Sequence, residues 1–323
     1  MEYAPEGRFQ HDETNPLAVD FVVVDEASML DLRLTHSLLE AVDLPAHVLF
    51  VGDVDQLPSV GAGNVLHDLI SSDYVAVSRL TTIFRQAADS GIVVNAHRIN
   101  RGEFPICNDG FRDFYFFTAE DPREAINLVV DIVRHRIPRK FGLTPDEIQV
   151  LSPMYRGDCG ITALNVHLQE ALNPPSRAKA ERKLANRVFR VGDRVMQTRN
   201  DYDKLVFNGD VGRITAIDAI AKKVFVEMSG RLVTYLWNEV TEHLTHAFAI
   251  SIHKSQGSEY PAVVVPVMKQ HLMMLQRNLL YTAITRARQL VVLVGTRQAI
   301  GIAVHNAKIA QRRSGLSMRL AAL

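Results

Sequence analysis

Cysteine is almost absent. The 323 residues hold two, Cys107 and Cys159, far apart and without metal-ligand spacing. That excludes a disulfide framework and a cysteine-rich zinc site, and it fits a reduced, cytoplasmic protein. Net charge is also lacking: 36 basic side chains balance 36 acidic ones. A nucleic-acid surface therefore has to be a local basic patch, offset by acidic surface elsewhere. No apolar run approaches the length of a membrane span. The longest, Val263 to Met268, is interrupted by Pro266 and reads as a buried strand, so no membrane partner is expected. Met1 is followed by Glu2 and no apolar stretch, so no signal peptide is visible. Internal repeats and low-complexity tracts are missing too. What is present is an ordinary globular composition, 47% hydrophobic and 22% charged, in a chain long enough for two or three domains.

The first third alternates short apolar strands with helices. Phe21 to Val24 and Val48 to Val51 have the β-branched pattern of strands covered on both faces. A helix is expected between them, from about Leu32 to Val42, and Ile92, Val93, Ala96 and Ile99 recur at helical spacing. This is the grammar of a parallel sheet. It resumes with a helix after Pro122, a strand at Ile148 to Leu151 and a helix after Gly160. From about Arg187 to His246 short β-prone runs separated by turns such as Asn208-Gly209-Asp210 predict a small antiparallel barrel. The α/β pattern then returns, with strands at Phe248 to Ile252, Val263 to Val267 and Leu290 to Val294, and a helix at Asn278 to Ala287.

Several short segments could carry chemistry. The first strand ends in Asp25-Glu26-Ala27-Ser28. Paired carboxylates at the C-terminal end of a parallel strand sit where ligands bind in open α/β sheets, and in a nucleotide hydrolase they hold Mg²⁺ and polarise the attacking water. A solvated loop with two acids is the plain alternative. The second strand ends in a Gly52-Asp53-Val54-Asp55-Gln56-Leu57-Pro58-Ser59-Val60-Gly61-Ala62-Gly63 run. Gln56 there could reach a terminal phosphate, and the two later glycines permit close backbone approach to one; alone, the segment reads better as a Gly/Pro-rich surface turn. Arg85 lies among apolar neighbours just before a helix, placed as an arginine finger or as one half of a structural ion pair. Further on, Ser251 to Glu259 is a strand entering a polar turn with His253, Lys254, Ser255, Gln256 and Gly257. Tyr281 to Arg288 is a helix presenting Thr282, Thr285 and Arg286. Separately, such a helix is usually a solvated face.

Taken in order, five segments resemble motifs II, III, IV, V and VI of superfamily 1 helicases. The Gly52 to Gly63 run, Ile83-Phe84-Arg85-Gln86, His253-Lys254-Ser255-Gln256-Gly257-Ser258-Glu259, Leu151-Ser152-Pro153-Met154-Tyr155-Arg156-Gly157 and Val191-Gly192-Asp193-Arg194-Val195-Met196-Gln197 with Asn208-Gly209-Asp210 are specifically similar to the RecD/TraA-type DNA helicases. The resemblance spans nearly the whole chain. It implies an α/β fold of two RecA-like parallel-sheet domains, the first incomplete, with an SH3-like barrel inserted in the second. The expected division is a β-hairpin pin remnant at 1–16, the first RecA-like domain at 17–105, the second at 106–186 and 247–323, and the barrel at 187–246. It implies ATP and Mg²⁺ as cofactors, with Asp25 as the metal carboxylate and Glu26 orienting the hydrolytic water. Gln56 would sense the γ-phosphate, which Arg85 and Arg286 would reach from opposite sides. Gln256, Gly257 and Glu259 would lie on the nucleotide side, and Tyr155, Arg156, His253 and Ser255 on the DNA side. The implied partners are single-stranded DNA and a duplex fork, and the implied activity is 5′-to-3′ translocation.

One departure is large. These helicases carry a Gly-rich loop ending in Gly-Lys-Thr ahead of motif II, and no Gly-Lys dipeptide occurs in this sequence. That loop supplies most of the β/γ-phosphate cradle. Two expectations follow. Either the chain is the C-terminal part of a longer protein and inactive alone, its partner being the N-terminal remainder, or it is a non-catalytic DNA-binding or regulatory subunit that keeps the helicase fold.

Overall fold

The computed structural model describes residues 9–80, 89–107, 110–307, 315–320 and 322. Arg85 and most of the expected pin hairpin, residues 1–8, lie outside them.

Two parallel strands open the described chain. Strand β1 (Phe21–Val24) leads through a short 3₁₀ turn into helix α1 (Leu32–Glu40), and β2 (His47–Phe50) returns beside β1 in parallel register, Phe21 opposite His47 and Val24 opposite Phe50. Asp31 caps α1 by accepting from the Leu34 amide at 2.7 Å, which satisfies one of the orphan donors of the first turn. The strands were expected to be covered on both faces. They are not: Phe21 is 56% and Val23 58% exposed, and Leu49 and Val51 are exposed as well. Among the described residues the sheet has only these two strands, and these side chains stay exposed. Helix α2 (Val65–Ser71) follows the long loop after β2.

The second sheet has five parallel strands in the order β12-β4-β13-β14-β3. Its elements arrive as helix α3 (Gly91–Asn100), β3 (Phe114–Thr118), α4 (Pro122–Asp131), α5 (Ile137–Phe141), β4 (Ile148–Ser152) and α6 (Ile161–Leu172). Strand β3 was not foreseen; its Phe-Tyr-Phe-Phe run carries no alternation to mark it. The chain then leaves the sheet as β5 (Glu181–Leu184), β6 (Arg187–Arg190), β7 (Arg194–Gln197), β8 (Val211–Asp218), β9 (Lys223–Met228), β10 (Arg231–Leu236), α7 (Trp237–His243) and β11 (Leu244–His246). It re-enters with β12 (Ala249–Ser251), β13 (Tyr260–Val267), α8 (Arg277–Thr285), β14 (Ala287–Gly295) and α9 (Arg297–His305).

Alternation along the central strands divides the core in two. Val263, Val265, Val291 and Leu293 face one layer, built from α3, α8 and α9 through Ile92, Ile99, Leu279, Leu280 and Ile300. Val264, Leu290, Val292 and Val294 face the other, built from α4 and α6 through Ile126, Val129, Leu164 and Leu168. A parallel sheet buried on both sides needs such near-continuous apolar strands. Helix α3 was assigned from sequence to the first domain, but its apolar stripe packs on the second sheet. Helical periodicity shows which face is apolar and not which sheet covers it.

Residues 181–246 form a separate antiparallel unit. Strands β7 to β11 make a five-stranded sheet in the order β10-β9-β8-β7-β11, and β5 and β6 pair as a hairpin ahead of it. The antiparallel structure thus begins before Arg187, the expected start. Its core is Phe189, Val195, Val224, Val226 and Tyr235.

Candidate active site

The C-terminal end of β1 and the loop after β2 meet the start of β13 and the end of α8. Asp25 is exposed at the strand end, and its Oδ1 accepts from the Glu26 amide at 2.8 Å. Glu26 takes a left-handed backbone conformation, φ 51° and ψ 39°, which costs a non-glycine residue about 1–2 kcal/mol. Its Oε1 lies 3.8 Å from Arg286 Nη1. Arg286 ends α8 and is 5% exposed. Its guanidinium is poorly matched: Nη1 donates to the Ser258 carbonyl at 3.4 Å, Nη2 to Thr285 Oγ1 at 3.5 Å, and buried Nε has no partner. A buried cation held by such long contacts keeps donor capacity for an anion.

Gln56 is buried beside it. Its Nε2 donates to Asp53 Oδ2 at 3.3 Å, and its Oε1 has no hydrogen-bond partner. Asp53 Oδ2 also accepts from the Tyr281 hydroxyl at 2.8 Å. Burial, reinforced by the Asp53 carboxylate, pushes the Tyr281 phenol far above its ordinary range, so it stays a donor. The next peptide is gripped twice: Thr282 Oγ1 accepts from the Leu57 amide at 2.8 Å, and Gln256 Nε2 donates to the Leu57 carbonyl at 2.8 Å. Gly61, expected to approach a phosphate, approaches α1 instead. A Cβ there would lie 2.1 Å from Asp31 Oδ2.

The structure therefore brings Glu26, beside Asp25, to Arg286, and links Gln56 to the same helix through Asp53 and Tyr281. Gln256 joins them through the Leu57 carbonyl. Glu259 is turned to another partner, an exposed ion pair with Arg288 at 2.7 Å. Gly257 takes φ 73° with open space around it. Asp53, Tyr281 and Thr282 were quoted in the sequence motifs without a role; only their meeting across the cleft reveals one.

On the expected DNA side, Tyr155 and Arg156 are exposed and His253 is half-buried, its imidazole pKa lowered by that burial. Ser255 corrects the sequence reading. It is 0% exposed and its hydroxyl donates to the Ile252 carbonyl at 2.8 Å, so it closes a turn and faces no ligand. Tyr155 and Lys254 share a cavity of about 500 Å³ with Thr162, Arg187, Thr198 and His246, between α6 and the antiparallel unit. Lys254 also pairs with Asn208 of that unit.

Three family models match. Residues 8–112 fit an AAA domain, 164–228 the SH3 domain of ATP-dependent RecD-like DNA helicases, and 246–294 the C-terminal domain of UvrD-like helicases. The ATP-dependent RecD2 DNA helicase of Deinococcus radiodurans is 36% identical over 303 residues, 94% of this chain. The RecBCD enzyme subunit RecD of Mycobacterium tuberculosis is 34% identical over 335 aligned positions, 98% of this chain. These matches support a RecD-type assignment for the chain. The chain spans 40% of the first relative's length and 56% of the second's. Among solved structures, the Pif1 helicase from Bacteroides in complex with ADP-AlF3 and ssDNA matches 92% of the RecD-like chain and 77% of its own, with TM-score 0.53 and 19% identity. That likeness concerns the fold, two RecA-like α/β parts with an SH3-like insertion.

Proposed function

We propose that this RecD-like chain carries the γ-phosphate end of an ATP-driven 5′-to-3′ DNA helicase motor. The observation that carries the reading is buried, under-satisfied Arg286 facing Glu26, next to Asp25 at a parallel-strand end, with the buried Gln56 amide oxygen also unpartnered. Such a constellation suits charge developing on a transferred phosphoryl group.

Bound ATP-Mg²⁺ would supply the scissile phosphoanhydride and a divalent charge that neutralises it. The fit is good at one end. Asp25 is an exposed carboxylate, and Mg²⁺ is commonly held by one or two carboxylates plus phosphates rather than by an all-protein cage. Glu26 would orient water, Gln56 would sense the terminal phosphate, and Arg286 would meet the developing charge. Arg85 is assigned the opposite arginine on motif resemblance. Gln256 supports Leu57 rather than nucleotide. The β-phosphate end needs a Gly-Lys-Thr loop, which these 323 residues do not contain. The exposed faces of β1 and β2 support a partner segment that completes both the sheet and the cradle. Tyr155, Arg156, His253 and Lys254 would follow a single strand of DNA by its backbone. A DNA-binding subunit without hydrolysis is the second reading. The missing loop favours it; the intact carboxylates, Gln56 and Arg286 do not.

Steady-state ATPase with single-stranded DNA decides between them. The 323-residue chain alone should turn over no ATP, because the phosphate cradle it lacks amounts to several charge-assisted hydrogen bonds. Joined to a preceding segment with a Gly-Lys-Thr loop, as in the helicase pattern it resembles, it should hydrolyse ATP and be stimulated by DNA. Robust turnover by the chain alone, or none by the joined protein, would overturn the reading.

A further inference from the structure

The Leu57 peptide is the most tightly shared point between the two parallel sheets. It leaves the loop that follows β2, yet both its polar groups are satisfied by side chains from the other half. Thr282 of α8 takes the N–H and Gln256, ahead of β13, takes the C=O, each at 2.8 Å. A third contact runs one turn away, from the Tyr281 hydroxyl to Asp53 Oδ2. Thr282 is 0% exposed and Leu57 2%. Backbone groups buried this deeply have no solvent to fall back on.

The three contacts flank Gln56 on both sides. Asp53, which Tyr281 fixes, is the acceptor that holds the Gln56 amide nitrogen. Leu57, which Thr282 and Gln256 fix, is the adjoining residue. The Gln56 amide oxygen is left buried and without a partner. Its orientation is thus set from the far side of the cleft.

We propose that Tyr281, Thr282 and Gln256 are positioning residues that latch the Asp53–Leu57 loop to the second sheet and aim the Gln56 side chain. None of them touches nucleotide in this role. The latch rests on the reading of Gln56 as a γ-phosphate sensor for its consequence in catalysis, but not for its existence. It makes the sensor bistable: the loop is aimed while the halves are closed and released when they part. Opening then breaks contacts on either side of Gln56 together, which is a two-state element that both the nucleotide site and the DNA-facing half can bias.

The test uses two proteins. In the 323-residue chain, nitroxide labels at Leu39→Cys and Met273→Cys, both exposed, report the separation of the halves in a Cys107→Ala background. Parent chain should give one narrow distance. Tyr281→Phe with Thr282→Val should lengthen or broaden it, and Tyr281→Phe with Thr282→Ser should restore most of it, since serine keeps the acceptor. Identical distributions in all three would overturn the latch. Should the valine variant fail to fold, Tyr281→Phe with Gln256→Ala, which removes the donor to the Leu57 carbonyl instead, carries the same comparison. In the protein joined to a phosphate-loop segment, the Phe/Val variant should lose about tenfold in kcat with KM for ATP within threefold, the split expected of positioning without ground-state binding. A parent that hydrolyses ATP no faster than its variants would also overturn the latch. A parent that hydrolyses none, while the distances still move, would overturn the motor reading and leave the latch standing.

Discussion

Arg286 is the residue on which the proposed chemistry turns. It is buried, its Nε has no partner and Glu26 is 3.8 Å away. In the protein extended by a phosphate loop, Arg286→Ala should lower kcat by about 10³–10⁵ while DNA affinity without nucleotide stays within a few-fold. Equal losses in both would make it a structural cation. Arg85→Ala carries the same expectation. A different residue sets an acid limit on stability. His271 is fully buried and its Nδ1 accepts from the Met268 amide at 3.2 Å. Burial pushes its pKa down from 6.5 to about 4. The folded state therefore keeps the imidazole neutral where the unfolded chain already binds a proton. Its contribution is complete above pH 6.5 and is lost as pH falls towards 4, by at most about 3 kcal/mol. Urea unfolding between those pH values should show this slope, and His271→Gln should flatten it.

At the scale of elements, the antiparallel unit is fastened to α6 by one buried carboxylate. Asp193 is 0% exposed. Its Oδ2 accepts from the Arg190 amide at 2.7 Å and Gln169 Nε2 at 2.6 Å, and lies 3.3 Å from His246 Nε2. Its Oδ1 accepts from Asn173 Nδ2 at 2.7 Å. His246 is stacked on Phe189, ring centroids 4.7 Å apart. Gln169 and Asn173 belong to the end of α6, Arg190 to β6 and His246 to β11, so one side chain ties three elements. Asp193→Ala would strand the Arg190 amide and leave Gln169 and Asn173 their bonds to the Val188 and Val191 carbonyls, and should cost about 3–5 kcal/mol in denaturant unfolding. A loss under 1 kcal/mol would mean that water replaces the carboxylate. Between β14 and α9, Gly295 has φ 147° and a Cβ there would sit 2.0 Å from the Val267 carbonyl oxygen. Gly295→Ala should lower the melting temperature for that reason alone.

Across the whole molecule, zero net charge conceals a local surface. Tyr155 and Arg156 are exposed, and Tyr155 and Lys254 line the cavity beside α6. If phosphates are gripped there, single-stranded DNA binding should weaken steeply with salt, because each contact releases counterions. Titration at two salt concentrations measures the slope, and salt-independent affinity would contradict backbone binding. The bare β1–β2 face has its own consequence. Phe21, Val23, Leu49 and Val51 leave apolar surface in water, so the isolated chain should self-associate or bind an apolar dye, and joining a segment that completes the sheet should abolish both.

The order of strands and helices was legible because buried parallel strands are runs of Val and Ile, and because helices carry an apolar stripe. Asp25, Glu26, Gln56, Gln256 and Arg286 were legible because long, ordered motifs hold them. Sequence alone also determined that these residues hold no Gly-Lys-Thr loop. It could not show which sheet α3 packs on, since periodicity fixes a face and not its partner. It could not separate Ser255, spent on a turn, from Lys254, the residue before it, half-buried and lining the cavity beside α6. Nor could it give Tyr281, Thr282 and Asp53 a role. Those side chains are remote in sequence, and hydrogen bonds between them exist only when the two sheets are brought face to face. Tertiary packing decides such contacts, because burial makes each one obligatory and a linear pattern carries no record of who will be opposite.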